Sequence, residues 1–170
     1  EDKGFSVAAS TAGLHFDKPL IEHLENNDVI VKYINLDIGL GTFKSIDTEY
    51  LENYKIHEEN YSVSKKEFLE LLKLKNKGYK IISVGTTVLR TLETVANTNV
   101  YKGQTSLFIK PGYKFKVVDL LITNFHAPRS TLLSIVLTIY GKKWKELYKY
   151  AQRSKLKFLS FGDAVLFEIK

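Results

Sequence analysis

The sequence predicts an α/β fold, a mixed sheet flanked by helices, on three observations. Apolar, β-branched runs alternate along the chain with stripes at helical spacing. Helix-capping residues stand just before those stripes, at Asp17, at Ser64 and at Ser130 or Thr131. With 170 residues, 44% of them hydrophobic, a folded chain buries about 70% of its unfolded surface, so a core forms without disulfide or metal staples. No internal repeat, low-complexity tract or Pro/Ser linker divides the chain, so residues 1–170 read as a single α/β domain.

The first helix is expected after Asp17, with Pro19 in its first turn and Leu20, Ile21 and Leu24 on one face. Residues 29–36 are rich in β-branched side chains and read as a strand. Ser64 and Glu67 form a capping-box pattern ahead of Phe68, Leu71, Leu72 and Leu74, with Gly78 as the stop. A strand at 80–84, the turn Gly85-Thr86-Thr87 and a stripe of Leu89, Leu92, Val95 and Ala96 make a strand-turn-helix unit. Strands at 105–109 and 115–123 are expected around the turn Lys110-Pro111-Gly112, then a buried apolar helix to Tyr140. Trp144, Leu147, Tyr148 and Ala151 form the core stripe of a last helix, and strands at 157–160 and 164–169 flank Phe161-Gly162-Asp163.

Charge is unevenly placed. Residues 1–60 hold 12 acids and five lysines, a net of −7, while 61–170 hold 20 cations and seven acids, a net of +13. Seven cations crowd 142–157 against Glu146 alone. Pattern by itself makes this a solvated helix face, and a basic C-terminal two-thirds also suits a phosphate-rich partner. With no Cys and four His, a metal centre would have to lean on carboxylates, and no metal ligands are assigned. The absence of Cys fits a reducing compartment, and the longest apolar run, 132–140, falls well short of the ~20 residues a bilayer requires. The start, without Met or a signal pattern, reads as cut or processed.

Several positions bear chemistry. The Gly85, Thr86, Thr87 turn offers backbone N–H groups at a helix start, and Arg90, one turn on, offers a bidentate clamp for an anion. A strand followed by a Gly turn is also a common structural device. Gly39, Gly41 and Thr42 resemble a phosphate cradle but lack the P-loop ending and the third Gly of a dinucleotide fingerprint, so a plain turn is the alternative. Asp119 lies inside an apolar run, where a carboxylate needs a partner or a task. Asn124, Phe125 and His126 run into Arg129 and two hydroxyls at a helix start, a cluster suited to proton transfer and binding. His57 and Glu59 fall on one side if extended, as a base with its orienting carboxylate, and His15 follows Thr11-Ala12-Gly13.

Taken together, these segments resemble a known family. The segments 11–16, 39–43, His57 with Glu59, 84–87, 90–93, the run from Pro111 to His126 and 162–164 are similar, in order and spacing, to S-adenosylmethionine:tRNA ribosyltransferase-isomerase of queuosine biosynthesis. The resemblance runs from about Gly4 to the C-terminus. It implies a C-terminal half, part of the large domain of a two-domain cytoplasmic enzyme whose N-terminal half is not in this chain.

The activity so implied transfers and isomerises the ribosyl moiety of S-adenosylmethionine onto the 7-aminomethyl-7-deazaguanine base at the wobble position of a tRNA with a GUN-type anticodon. Epoxyqueuosine forms, adenine and methionine leave, and S-adenosylmethionine is a consumed cosubstrate with no permanently bound cofactor. A sulfonium acidifies its neighbouring C–H and is a ready leaving group, so the protein must position, supply a base and stabilise charge. On this reading His126, oriented by Asp119 or Asn124, is the first choice for proton transfer, with His57 and Glu59 second. Arg90 and the Gly85–Thr87 turn hold the methionine carboxylate, Tyr113 or Phe125 stacks on a base, and the basic surface holds tRNA phosphates. Asp37 stands where the family usually has His, which leaves a diverged, non-catalytic tRNA-binding relative as the alternative.

Overall fold

A computed structural model describes residues 11–37, 46, 48, 54 and 56–169. Gly39, Gly41 and Thr42 lie outside the described residues. Among the described residues, six strands form two three-stranded sheets: β1 (Asn35–Asp37), β2 (Glu59–Ser62) and β4 (Lys102–Thr105) in one, β3 (Ile82–Val84), β5 (Leu120–Asn124) and β6 (Ala164–Glu168) in the other. The first sheet is antiparallel with β2 at its centre. The second is mixed, with central β5 parallel to β3 and antiparallel to β6. The path from β3 to its parallel partner β5 runs through helix α3 (Thr86–Thr98) and then through β4, so one crossover ties the two sheets together.

The remaining helices are α1 (Lys18–Glu25), α2 (Lys65–Asn76), α4 (Thr131–Tyr140) and α5 (Trp144–Arg153). Asp17, Ser64 and Ser130 each accept the backbone N–H three residues on, at 2.9, 3.4 and 3.1 Å, which is why the helices start where the caps stand in the sequence. Helix α3 packs on β3 and β5, and α4 on β6 and α5. The core gathers Phe68, Leu89, Leu92, Val95, Leu121, Ile135, Val136 and Phe167 from these elements. No helix among the described residues is long and apolar enough to cross a membrane.

The strands depart from expectation in a consistent way. Residues 29–34 are irregular, and pairing begins only at Asn35. The expected strand 105–109 is replaced by β4 at 102–105. The carbonyls of Leu107 and Ile109 accept from the side chains of Arg90 and Ser134, not from a neighbouring strand. The stretch 115–119 is not strand either, because the N–H groups of residues 116–118 are bound by the carboxylate of Glu93. At 157–160 the Lys157 N–H goes to Asp163 Oδ2, and the segment folds into a turn. Apolar, extended sequence here reports burial, and the destination of the backbone hydrogen bonds decides whether a strand forms.

Candidate active site

The parallel pair β3 and β5 ends in two loops at one sheet edge, joined by the hydrogen bond from Gly85 N–H to the Ile122 carbonyl at 2.8 Å. The carboxyl edge of parallel strands is where open α/β folds bind ligands, since helix N-termini point there. Gly85, at φ +95°, is the N-cap of α3 and has no side chain to satisfy the first amides of the helix. The left-handed backbone suits glycine. Thr86 and Thr87 follow, both buried, so the turn presents amides and hydroxyls from a fixed position.

From β5, Asn124 and His126 reach the same edge. Asn124 accepts from Thr11 Oγ1 at 3.2 Å and donates Nδ2 to the Gly162 carbonyl at 3.0 Å. His15 Nε2 lies 3.1 Å from that same carbonyl oxygen. The segments 11–15, 124–126 and 162 are therefore joined, though more than a hundred positions separate the first from the others. His126 is half-buried, with Nε2 2.9 Å from Thr123 Oγ1 and its backbone N–H donated to the Tyr148 hydroxyl at 3.0 Å. Burial depresses its pKa to about 4, so the ring is neutral at neutral pH and able to accept a proton. Burial likewise raises the Tyr148 hydroxyl. Arg129 is exposed on the loop that follows, at φ +54°.

Several expected partnerships are not formed. Asp119 does not orient His126. It sits before β5 and His126 after it, with roughly 20 Å of extended chain between them. Its carboxylate instead binds Lys75 Nζ at 2.5 Å and caps the Ile81 N–H at 2.8 Å. Burial by itself would raise this carboxyl, but those two partners and Lys80 outweigh it and hold it below its ordinary value. Asn124 is committed to Thr11 and Gly162, so Thr123 is the side chain that fixes the His126 ring.

His57 and Glu59 do not pair as base and orienting acid. Glu59 opens β2 with its side chain buried and bound to Arg90 Nη1, whereas His57 is exposed. Burial raises the Glu59 carboxyl, with Arg90 opposing. Burial lowers the guanidinium, with Glu59 opposing. Arg90 also donates Nε to the Leu107 carbonyl at 3.0 Å and is 3% exposed, so the expected clamp on a substrate carboxylate is occupied by the protein's own acid. Phe125, 2% exposed, is packed against Phe158 and edge-on to Tyr148, which leaves no face for a base. Tyr113 is turned inward too: its hydroxyl donates to Glu93 and accepts from Asn97, and burial raises its pKa.

Glu93 escaped the reading of single residues. Fully buried, it accepts from the Tyr113 hydroxyl and from the backbone N–H groups of Lys116, Val117 and Val118 at 2.9–3.1 Å. Its signal was present: a carboxylate between Leu92 and Ala96, on the apolar face of α3. No comparable signal marked Thr123 or the Glu59–Arg90 pair. Among the described residues, no cluster of three or more His, Cys, Asp or Glu is arranged to hold a metal ion.

Known proteins resemble the chain throughout. It is 47% identical over 165 residues to the S-adenosylmethionine:tRNA ribosyltransferase-isomerase of Thermotoga petrophila, covering 95% of this chain and 49% of that protein. Identity to the same-named protein of a Thermoanaerobacter species is 48% over 166 residues. A crystal structure titled S-adenosylmethionine tRNA ribosyltransferase, from Thermotoga maritima, superposes with a TM-score of 0.74 at 40% identity, over 91% of this chain and 50% of that one. The chain thus spans about half the length of the curated relatives it matches. The family described as queuosine biosynthesis protein matches residues 1–167, with the joined segments 11–15, 124–126 and 162 inside that span, and the chain belongs to this family.

Proposed function

We propose that the chain is the C-terminal half of a cytoplasmic S-adenosylmethionine:tRNA ribosyltransferase-isomerase. The reaction moves the ribosyl moiety of S-adenosylmethionine onto the 7-aminomethyl-7-deazaguanine base at the wobble position of a tRNA with a GUN-type anticodon, yielding epoxyqueuosine, adenine and methionine. The observation that carries this reading is the convergence of the α3 N-terminus, Asn124, His126 and the Gly162 turn at one carboxyl edge of the β3–β5 pair. Family membership supplies the reaction class.

In this arrangement the amides of Thr86 and Thr87 face the methionine carboxylate, favoured by the positive end of α3, while Gly85, whose own N–H is spent on the Ile122 carbonyl, shapes the turn that aims them. His126 takes the proton on the ribosyl carbon beside the sulfonium. A base with a pKa of about 4 is weak for neutral pH, and the adjacent positive sulfur compensates by acidifying that C–H. Thr123 holds the ring and Tyr148 holds the backbone of His126, so the base does not reorient during the step. Arg129, exposed beside it, meets anionic groups of the tRNA. His15, with Asn124, closes the opposite side through Gly162. Gly39, Gly41, Thr42 and His57 remain contacts proposed from the sequence resemblance alone.

The test is adenine release from S-adenosylmethionine by the complete polypeptide. Adenine and methionine are expected in equal amounts with tRNA carrying the aminomethyl-deazaguanine base and absent with tRNA carrying guanine. No adenine with the modified tRNA would sink the assignment.

A further inference from the structure

The turn after α5 carries an aromatic ring that the fold does not use. Phe161 is 88% exposed, yet the backbone on both sides of it is pinned. Leu159, at φ +69°, donates its N–H to the Phe125 carbonyl at 2.9 Å, and Gly162 donates to the Leu159 carbonyl at 3.0 Å. Asp163 closes the turn twice, through its N–H to the Lys157 carbonyl and its carboxylate to the Lys157 N–H. The Gly162 carbonyl, next in the chain, is the one that binds Asn124 and meets His15, so Phe161 stands at the rim of the candidate site. A ring carried on a fixed backbone has less to order on stacking than one on a free loop, and at this exposure it contributes little to the core.

The helix leading into this turn supplies the complementary charge. Lys145, Lys149 and Arg153 recur at i, i+4 and i+8 on α5, all exposed, and Lys142, Lys143, Lys155 and Lys157 extend the strip at both ends. None of the seven forms an ion pair among the described residues, although Glu146 lies within the strip. The apolar side of α5 is consumed inside: Trp144 meets Tyr148, and Tyr148 and Phe125 meet Phe158, locking helix and turn into one aromatic cluster. That leaves cations and the 65% exposed Tyr150 outside, with no apolar stripe for a membrane. A cationic track beside exposed rings is the pattern that binds single-stranded nucleic acid, charge following the phosphates and rings meeting the bases.

We propose that the Lys145–Lys149–Arg153 row tracks the phosphates of an RNA loop and that Phe161 stacks on one of its unpaired bases at the mouth of the site. This rests on the tRNA-directed reading above and assigns it a surface. The test is binding of the complete polypeptide to a synthetic anticodon stem-loop with a fluorescent purine analogue in the loop, titrated at several salt concentrations. Phe161→Ala is expected to weaken binding roughly 5- to 150-fold, leave the salt slope unchanged and abolish quenching of the analogue, while Phe161→Trp retains both. Replacing Lys145, Lys149 and Arg153 by Gln is expected to lower the salt slope by about 2–3. All these side chains are exposed, so thermal unfolding should not change.

Retained quenching and affinity in Phe161→Ala would overturn the stacking role, as would a loss confined to S-adenosylmethionine affinity. An unchanged salt slope in the triple variant, or tighter binding to anionic vesicles than to the stem-loop, would overturn the cationic track. Adenine release separates the two readings. If release persists while these variants bind RNA normally, only the surface fails; if the wild type releases none yet the variants lose RNA binding, only the reaction fails.

Discussion

Glu93 shows how much one side chain can organise. Four donors converge on its carboxylate, three of them backbone amides of 116–118, so it holds the approach to β5 in place from inside α3. Glu93→Gln turns an acceptor-only group into one that also presents an NH2 to those amides. A loss of roughly 2–4 kcal/mol is expected in urea denaturation, against about 1 kcal/mol for Tyr113→Phe, which removes a single donor. Arg90→Ala leaves Glu59 buried without its cation and should cost about 3–5 kcal/mol by the same measurement.

His126 contributes with a defined sign. Its folded pKa of about 4 lies below the ordinary 6.5, so the unfolded chain takes up the proton first as pH falls. Above pH 6.5 both states are neutral and the residue has no effect; between 6.5 and 4 the folded state loses stability, up to roughly 3 kcal/mol. Denaturation at stepped pH should show this slope in the wild type and its disappearance in His126→Gln. In the adenine-release assay His126→Ala is expected to lose roughly 10²- to 10⁴-fold in rate.

At the scale of elements, helices and strands were not equally legible. A helix announces itself locally, through a cap or a stripe: α1 to α4 begin next to the capping or turn residue that marked them, and α5 begins at Trp144, the first residue of its apolar stripe. Ser130 adds a second bond, donating its hydroxyl to the Ala127 carbonyl at 2.8 Å while accepting from Leu133 N–H. Ser130→Ala should therefore cost about 1 kcal/mol in stability from the lost cap. It should also lower activity, because the loop 127–129 leaves His126. Strands depend on a partner. Residues 106–109, 115–119 and 157–160 have strand-like composition, but Arg90, Ser134, Glu93 and Asp163 take backbone groups a ladder requires. The β2 strand, with no apolar run, forms because β1 and β4 flank it.

For the whole molecule, the excess of cations beyond residue 60 governs association more than folding. If tRNA binds across several of these cations, affinity should fall roughly 100-fold or more between about 50 and 200 mM salt, measured by filter binding. Central β5 brings motif segments from both ends of the chain to one sheet edge, 11–15 through the Thr11–Asn124 bond and 162 through the antiparallel pairing with β6. That edge could be named from the sequence as a set of motifs, but not as a set of contacts.

The family resemblance, the helices and the basic C-terminal region were legible in the sequence alone, since caps, periodicity, charge and motif order are local properties. Only the tertiary structure decided that Arg90 belongs to Glu59, Asp119 to Lys75, and His126 to Thr123. The physical reason is that a buried polar group takes whichever partner the fold delivers within hydrogen-bond reach, and spacing along the chain does not report which one arrives.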